Sequence, residues 1–155
     1  MADLLIELEN RGLTLPKAPA PVASYIPAVS IHSGSLVFIS GQLPLKNGEL
    51  MATGTVPDAV PLKLAQECAA QCVLNALAVL EQEIGDLKRV RRVVRLGGFV
   101  ACGAGFGDQS KVINGASDLL AELMHESGKH ARAAVGVSAL PLNAPVEIEF
   151  TFLVD

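Results

Sequence analysis

Alternating hydrophobic periods along this chain predict an α+β fold, a single mixed sheet with two main helices on one face. Three observations carry that expectation. From Leu62 to Ile84 apolar residues recur at i, i+3, i+4 and i+7, the spacing of one helix face. The C-terminal stretches 130–139 and 146–152 alternate at period two instead, which is strand spacing. The order hairpin, helix, strand, helix, strand, strand then supplies two helix-containing crossovers, and right-handed crossovers place both helices on the same sheet face.

The elements follow in order. Residues 2–11 form a short helix with Leu4, Leu5 and Leu8 on its sticky side and Gly12 ending it. A Pro-rich arm, Leu15 to Pro21, cannot be helical and leads to Tyr25. Residues 28–33 and 35–40 read as two short strands around Ser33-Gly34-Ser35, a tight hairpin signal. Asn47-Gly48 marks a second turn, and Gly54 to Pro61 a loop. The long helix carries Ala65, Cys68, Ala69, Cys72, Val73, Ala76, Leu77, Leu80 and Ile84 on its apolar face. Lys63, Glu67, Gln71, Gln82 and Glu83 fall on its other sides, and Gly85 caps its end. Val90 to Ala101 is β-branched and strand-like. A second helix runs from Gln109 to Ser127, ended by Gly128.

Composition bounds the function. The 155 residues suit one domain, 1–155, with residues 1–20 as its N-terminal helix and arm. Half the residues are hydrophobic, 18% are charged, and mean hydropathy is +0.42. So much apolar surface on a small chain implies burial by oligomerisation. A net charge of −4 argues against nucleic acid as a partner. No apolar run reaches the roughly 18 residues of a membrane span. Asp3, Glu7 and Glu9 stand where a signal peptide would be basic, so the expected location is cytoplasmic. Three cysteines make no disulfide framework, and no His, Cys or Asp spacing resembles a metal site.

In the C-terminal strands, Val146, Ile148, Phe150 and Phe152 share one face, and Glu147, Glu149 and Thr151 the other. Ala131, Ala133, Val135 and Val137 share a face, while His130, Arg132, Ala134, Gly136 and Ser138 share the opposite one. The reading is a greasy face turned to the helices and a small-residue floor, with Arg132 and Glu147 together, that a second subunit covers. Arg132 is the candidate for gripping a carboxylate bidentately; a cross-strand pair with Glu147 or Glu149 is the competing reading. Either Glu could position a water. His130 shares the Arg132 face, where a structural role competes with substrate binding. Cys68 and Cys72 are core residues. The basic run Lys88 to Arg95 reads as a helix end entering an edge strand, against a phosphate-contacting patch. Gly103 to Gly107 lacks the Lys-Ser/Thr ending of a phosphate loop.

Together these pieces resemble the reactive-intermediate deaminase family, the Rid or YjgF-type proteins, also called endoribonuclease L-PSP. The matching pieces are Tyr25 after the Pro-rich arm, Ile39-Ser40-Gly41-Gln42-Leu43-Pro44, the Asn114 helix, Ala131-Arg132, Leu140-Pro141 and Val146-Glu147-Ile148-Glu149. The resemblance implies a chorismate-mutase-like single domain of the Bacillus type and a homotrimer with clefts between subunits. It implies cofactor-free hydrolysis of enamines and imines, such as 2-aminoacrylate, to 2-keto acids. Arg132, Glu147 and Tyr25 take the catalytic positions, and Ser40, Gly41, Asn114 and His130 are the substrate-binding candidates. The departures are Ala134 where the family often has Cys, a longer Gly-rich loop over 101–110, His130 itself and the segment before Gly12, features of a separate subgroup. The rival readings are a small-carboxylate or keto-acid binder without turnover, and an endoribonuclease working through the basic run.

Overall fold

A computed structural model describes residues 4–18, 28–31 and 36–155. Its elements are α1 (Leu4–Asn10), β1 (Ala28–Ile31), β2 (Leu36–Gln42), β3 (Leu45–Lys46), β4 (Glu49–Leu50), α2 (Leu62–Ile84), β5 (Val90–Ala101), α3 (Gln109–Met124), β6 (Ala131–Val137) and β7 (Val146–Val154). The main sheet has the order β1-β2-β7-β5-β6. Among the described strands of this sheet only β5 and β6 pair in parallel; β1–β2, β2–β7 and β5–β7 are antiparallel. The 33–35 turn and Tyr25 lie outside the described residues.

The long helix starts after Pro61, which has extended backbone and needs no N–H there. It stops at Gly85, whose left-handed φ of 81° lets its N–H bond the Glu81 carbonyl. The second helix ends earlier than its apolar period suggests. It passes at His125 into a short 3-10 turn, His125–Gly128.

Strand β7 alternates buried and half-exposed residues along its whole length. Its buried set, Val146, Ile148, Phe150, Phe152 and Val154, registers with Val100, Gly98, Leu96, Val93 and Val90 of β5. Helices α2 and α3 pack on that face and against each other. The residues of α2 at the contact are small, with Ala65, Ala69 and Ala76 fully buried beside Leu77 and Leu80. Gln71 departs from its expected solvent side. It is 8% exposed and donates to Asn75. Cys68 and Cys72 are fully buried. Burial, with Glu67 adding to it, pushes the Cys68 thiol up to about 11, and burial likewise raises Cys72; both are inert packing residues.

The basic run enters an interior strand rather than an edge one. Val90 to Arg95 lies in β5, between β7 and β6. Its arginines are spent on local structure: Arg89 donates to the Ile84 and Asp155 carbonyls, Arg91 pairs with Asp155, and Arg95 pairs with Glu149 at 2.9 Å.

The opposite sheet face has no covering layer among the described residues. It shows Phe38, 43% exposed, and Val135, 44% exposed, flanked by half-buried Phe99 and Thr151. No helix among the described residues is long and apolar enough to cross a membrane.

The α2–α3 contact tests the layer. A Cβ on Gly115 would fall on the Gln66 main chain, which cannot swing aside. Gly115→Ala should cost about 2 kcal/mol of stability by overpacking, read by urea unfolding; wild-type stability would contradict this contact.

Candidate active site

The sheet carries two separate polar clusters. The first is at the β6 edge. Arg132 Nη1 donates to Ser117 Oγ at 2.9 Å, and Nη2 donates to the Ser110 carbonyl at 3.2 Å. His130 Nε2 lies 3.0 Å from the same Ser117 Oγ, and its Nδ1 lies 2.6 Å from the Gly128 carbonyl. Ser110, Asn114 and Ser117 stand at i, i+4 and i+7 on α3, one stripe of the helix. Asn114 is half-buried on that stripe, between the two residues that hold Arg132. The guanidinium is exposed, and among the described residues it has no carboxylate within ion-pair distance.

The second cluster is at β2 and β7. A bulge between Ile39 and Gln42 sets Ser40 and Gly41 opposite one residue, Glu149. The Gln42 side chain, 6% exposed, donates to the Ser40 carbonyl at 2.9 Å and ties the bulge down. Asn75, fully buried on α2, donates to the Leu43 and Leu45 carbonyls at 2.8 and 3.1 Å. The chain after the bulge is thereby pinned to the helix layer. Sequence reasoning missed Gln42 and Asn75 as supports; the polar pair Gln71–Asn75 inside an apolar helix was the available signal.

Glu147 lies against this bulge. A Cβ on Gly41 would collide with Glu147 Oε1, so the glycine makes room for the carboxylate. Glu147 is half-buried and has no hydrogen-bond or ion-pair partner among the described residues. Burial raises its pKa, and the neighbouring Glu149 charge adds to the effect. A carboxylate with a raised pKa is a stronger base toward a bound water than an ordinary one.

The shared floor is overturned. Arg132 registers with Leu96, and Leu96 registers with Phe150, so Arg132 is on the helix side of the sheet. Glu147 registers with Phe99, on the open side. The alternation of β6 was assigned to the wrong faces: Val135 is on the open side, and Ala134 packs on the core. Small residues explain the switch. A Cβ on Gly136 would meet Cys102 Sγ at 2.7 Å and Gln109 Nε2 at 2.9 Å, so the β6 residues beneath α3 must be small. The competing cross-strand pairing of Arg132 with Glu147 or Glu149 fails as well, because β5 lies between β6 and β7. By register, Arg132 and Glu147 are two strands and three residues apart, about 14 Å between Cα atoms.

Of the sequence candidates, the structure gathers Arg132, His130 and Asn114 in one cluster and Ser40, Gly41 and Glu147 in the other. Tyr25 lies outside the described residues. Among the described residues no group of three His, Cys, Asp or Glu could hold a metal ion.

Two outcomes follow for Glu147. Its folded pKa lies above the unfolded value, so ionisation costs folding free energy that is absent at low pH and grows as pH rises past 4.5. Glu147→Gln should therefore melt above wild type at neutral pH and converge with it below pH 4.5; a lower Tm at neutral pH would contradict the burial. Gly41→Ala should displace this flexible carboxylate with little change in Tm, because a side-chain end moves more easily than main chain.

Residues 6–152 match the family model described as "YjgF/chorismate_mutase-like, putative endoribonuclease". Protein TCP17 of Trypanosoma cruzi is 40% identical over 143 residues, covering 92% of this chain and 88% of that one. A 2-iminobutanoate/2-iminopropanoate deaminase of Dermatophagoides farinae is 30% identical over 150 residues, covering 94% and 98%. The crystal structure of Atu1372 from Agrobacterium tumefaciens, a protein of unknown function, is 44% identical with a TM-score of 0.89, covering 98% of this chain and 92% of that chain. With its mixed sheet, its helix layer on one face and a family match over most of its length, the chain belongs to the YjgF/chorismate mutase-like family, the Rid proteins.

Proposed function

We propose that the protein hydrolyses imines of small 2-amino acids, such as 2-iminopropanoate and 2-iminobutanoate, to 2-keto acids and ammonia. The reaction takes place in clefts between copies of the chain, arranged as a trimer. The observation that carries this reading is the separation of two unneutralised charges. Arg132 and Glu147 each lack an ionic partner among the described residues, and they lie on opposite sheet faces about 14 Å apart. One small substrate can meet both only where the β6 edge of one copy approaches the β2–β7 bulge of another. The open apolar face, with Phe38 and Val135 exposed, gives such packing its driving force.

In this scheme Arg132 takes the substrate carboxylate through its donors left over from Ser117 and Ser110. The imine carbon then faces a water held by Glu147. Water adds its oxygen to the carbon of the protonated imine as Glu147 accepts one of the water's protons, which gives a carbinolamine. Glu147 passes that proton to the nitrogen, the C–N bond breaks to release ammonia, and the hydroxyl proton goes to Glu147 and on to solvent as the keto acid forms. A protonated imine is already electrophilic, so orientation and one carboxyl suffice, and no cofactor enters. Ser40 and Gly41 line the floor beside Glu147. Asn114 lies on the Arg132 side. Tyr25, placed here by the family resemblance, helps Glu147 orient that water. The net charge of −4 and the local pairing of Arg89, Arg91 and Arg95 argue against nucleic acid as the ligand.

The assay is ammonia release from 2-iminopropanoate generated in situ, above the spontaneous rate. Arg132→Ala should lower kcat/KM by at least about a hundredfold, the loss of a charge-assisted bidentate grip. Hydrolysis at the wild-type rate in the variant would remove Arg132 as the grip, and no release above the spontaneous rate in wild type would remove the deaminase reading. Thermal stabilisation by pyruvate with no turnover in wild type would replace it with a carboxylate-binding role.

A further inference from the structure

We infer that Ser117 and His130 are positioning residues that aim Arg132 at its ligand through a one-directional chain of hydrogen bonds. The inference rests on the reading of Arg132 as the carboxylate grip. The Gly128 carbonyl can only accept, so the 2.6 Å contact puts a proton on His130 Nδ1. In the neutral ring Nε2 then has a free lone pair. Arg132 can only donate, so its 2.9 Å contact uses a lone pair of Ser117 Oγ. The single Ser117 proton is left for His130 Nε2, 3.0 Å away. Arg132 Nη1 thus donates to Ser117, Ser117 to His130 and His130 to the Gly128 carbonyl, and the series runs in one direction only.

Three consequences follow. Both ring nitrogens of His130 are used, so His130 serves the ligand through Arg132 rather than by direct contact. The histidine keeps the Ser117 hydroxyl from turning its proton toward the guanidinium, which holds a lone pair aimed at Nη1. The grip is also fixed by neutral oxygens, from Ser117 and the Ser110 carbonyl. A carboxylate in their place would orient the arginine equally well but would neutralise the charge needed for the ligand.

The test compares Ser117→Ala, His130→Ala, the double variant, His130→Gln and Arg132→Ala in steady-state imine hydrolysis. The expected result is a KM raised about tenfold in Ser117→Ala and in His130→Ala, with kcat within about twofold, the sign of weakened ground-state and transition-state grip alike. The double variant should be no worse than Ser117→Ala, because the two act in series. His130→Gln should restore KM, since its amide oxygen can accept from Ser117. A raised KM in Arg132→Ala beside wild-type KM in Ser117→Ala and His130→Ala would overturn this inference alone. Wild-type KM in Arg132→Ala would remove the carboxylate grip, and this inference with it. A Tm loss in His130→Ala that Gln reverses without restoring KM would reduce the contact to a fold-stabilising one and overturn the positioning role.

Discussion

Strand β5 is bonded to β6 on one side and to β7 on the other, and that intercalation decides where every polar group of the sheet points. The chain runs directly from β6 through Pro141–Asn143 into β7, yet the two strands are not paired, because β5 lies between them. Their relative faces are set by register with β5: Leu96 binds Arg132 to the helix side, and Phe99 binds Glu147 to the open side. The face under α2 and α3 is closed by Leu96, Val100, Ile148 and Phe152, all fully buried. Arg132 escapes that core because β6 is the sheet edge, where its side chain reaches α3 and solvent together.

The charges of the two clusters are treated differently from those elsewhere in the molecule. Arg91, Arg95 and Arg11 find carboxylates, exposed pairs of small individual worth. Arg132 finds only neutral oxygens, and Glu147 only the empty space over Gly41. An isolated half-buried carboxylate is a net cost to folding, and its raised pKa expresses that cost. Such a group is retained where a ligand or a second chain completes its surroundings. Both unmet charges have the signs that a carboxylate substrate and an attacking water would use.

Much of the fold was legible in the residues. The helix from Leu62 to Ile84 has a clean 3.6 period and a glycine stop, and its bounds are recovered in full. The second helix is right in place, but its last turn tightens at His125, where no residue type marks the change. The faces of β6 were not legible. A strand of Ala, Gly and Val has little contrast between its sides, and the requirement for small residues under α3 comes from a helix far away in sequence. The partners of Arg132 were hidden for the same reason, since Ser117 and Ser110 precede it by 15 and 22 residues. Period-two spacing alone puts Arg132 and Glu147 on one face, and the family resemblance puts them in one site. The register shows that the shared face does not hold within a single chain.

The proposed site is built by two copies of the chain, and subunit complementation tests that most directly. Arg132→Ala and Glu147→Gln chains should each lose most of their activity when assayed alone. Co-refolded in equal amounts, they should form mixed oligomers with about a quarter of wild-type activity, since a site works when one copy supplies the arginine and its neighbour the glutamate, each with odds of about one half. Mixed oligomers that form, as weighed by native mass spectrometry, and yet show no activity would place both residues in one chain's site and contradict the account.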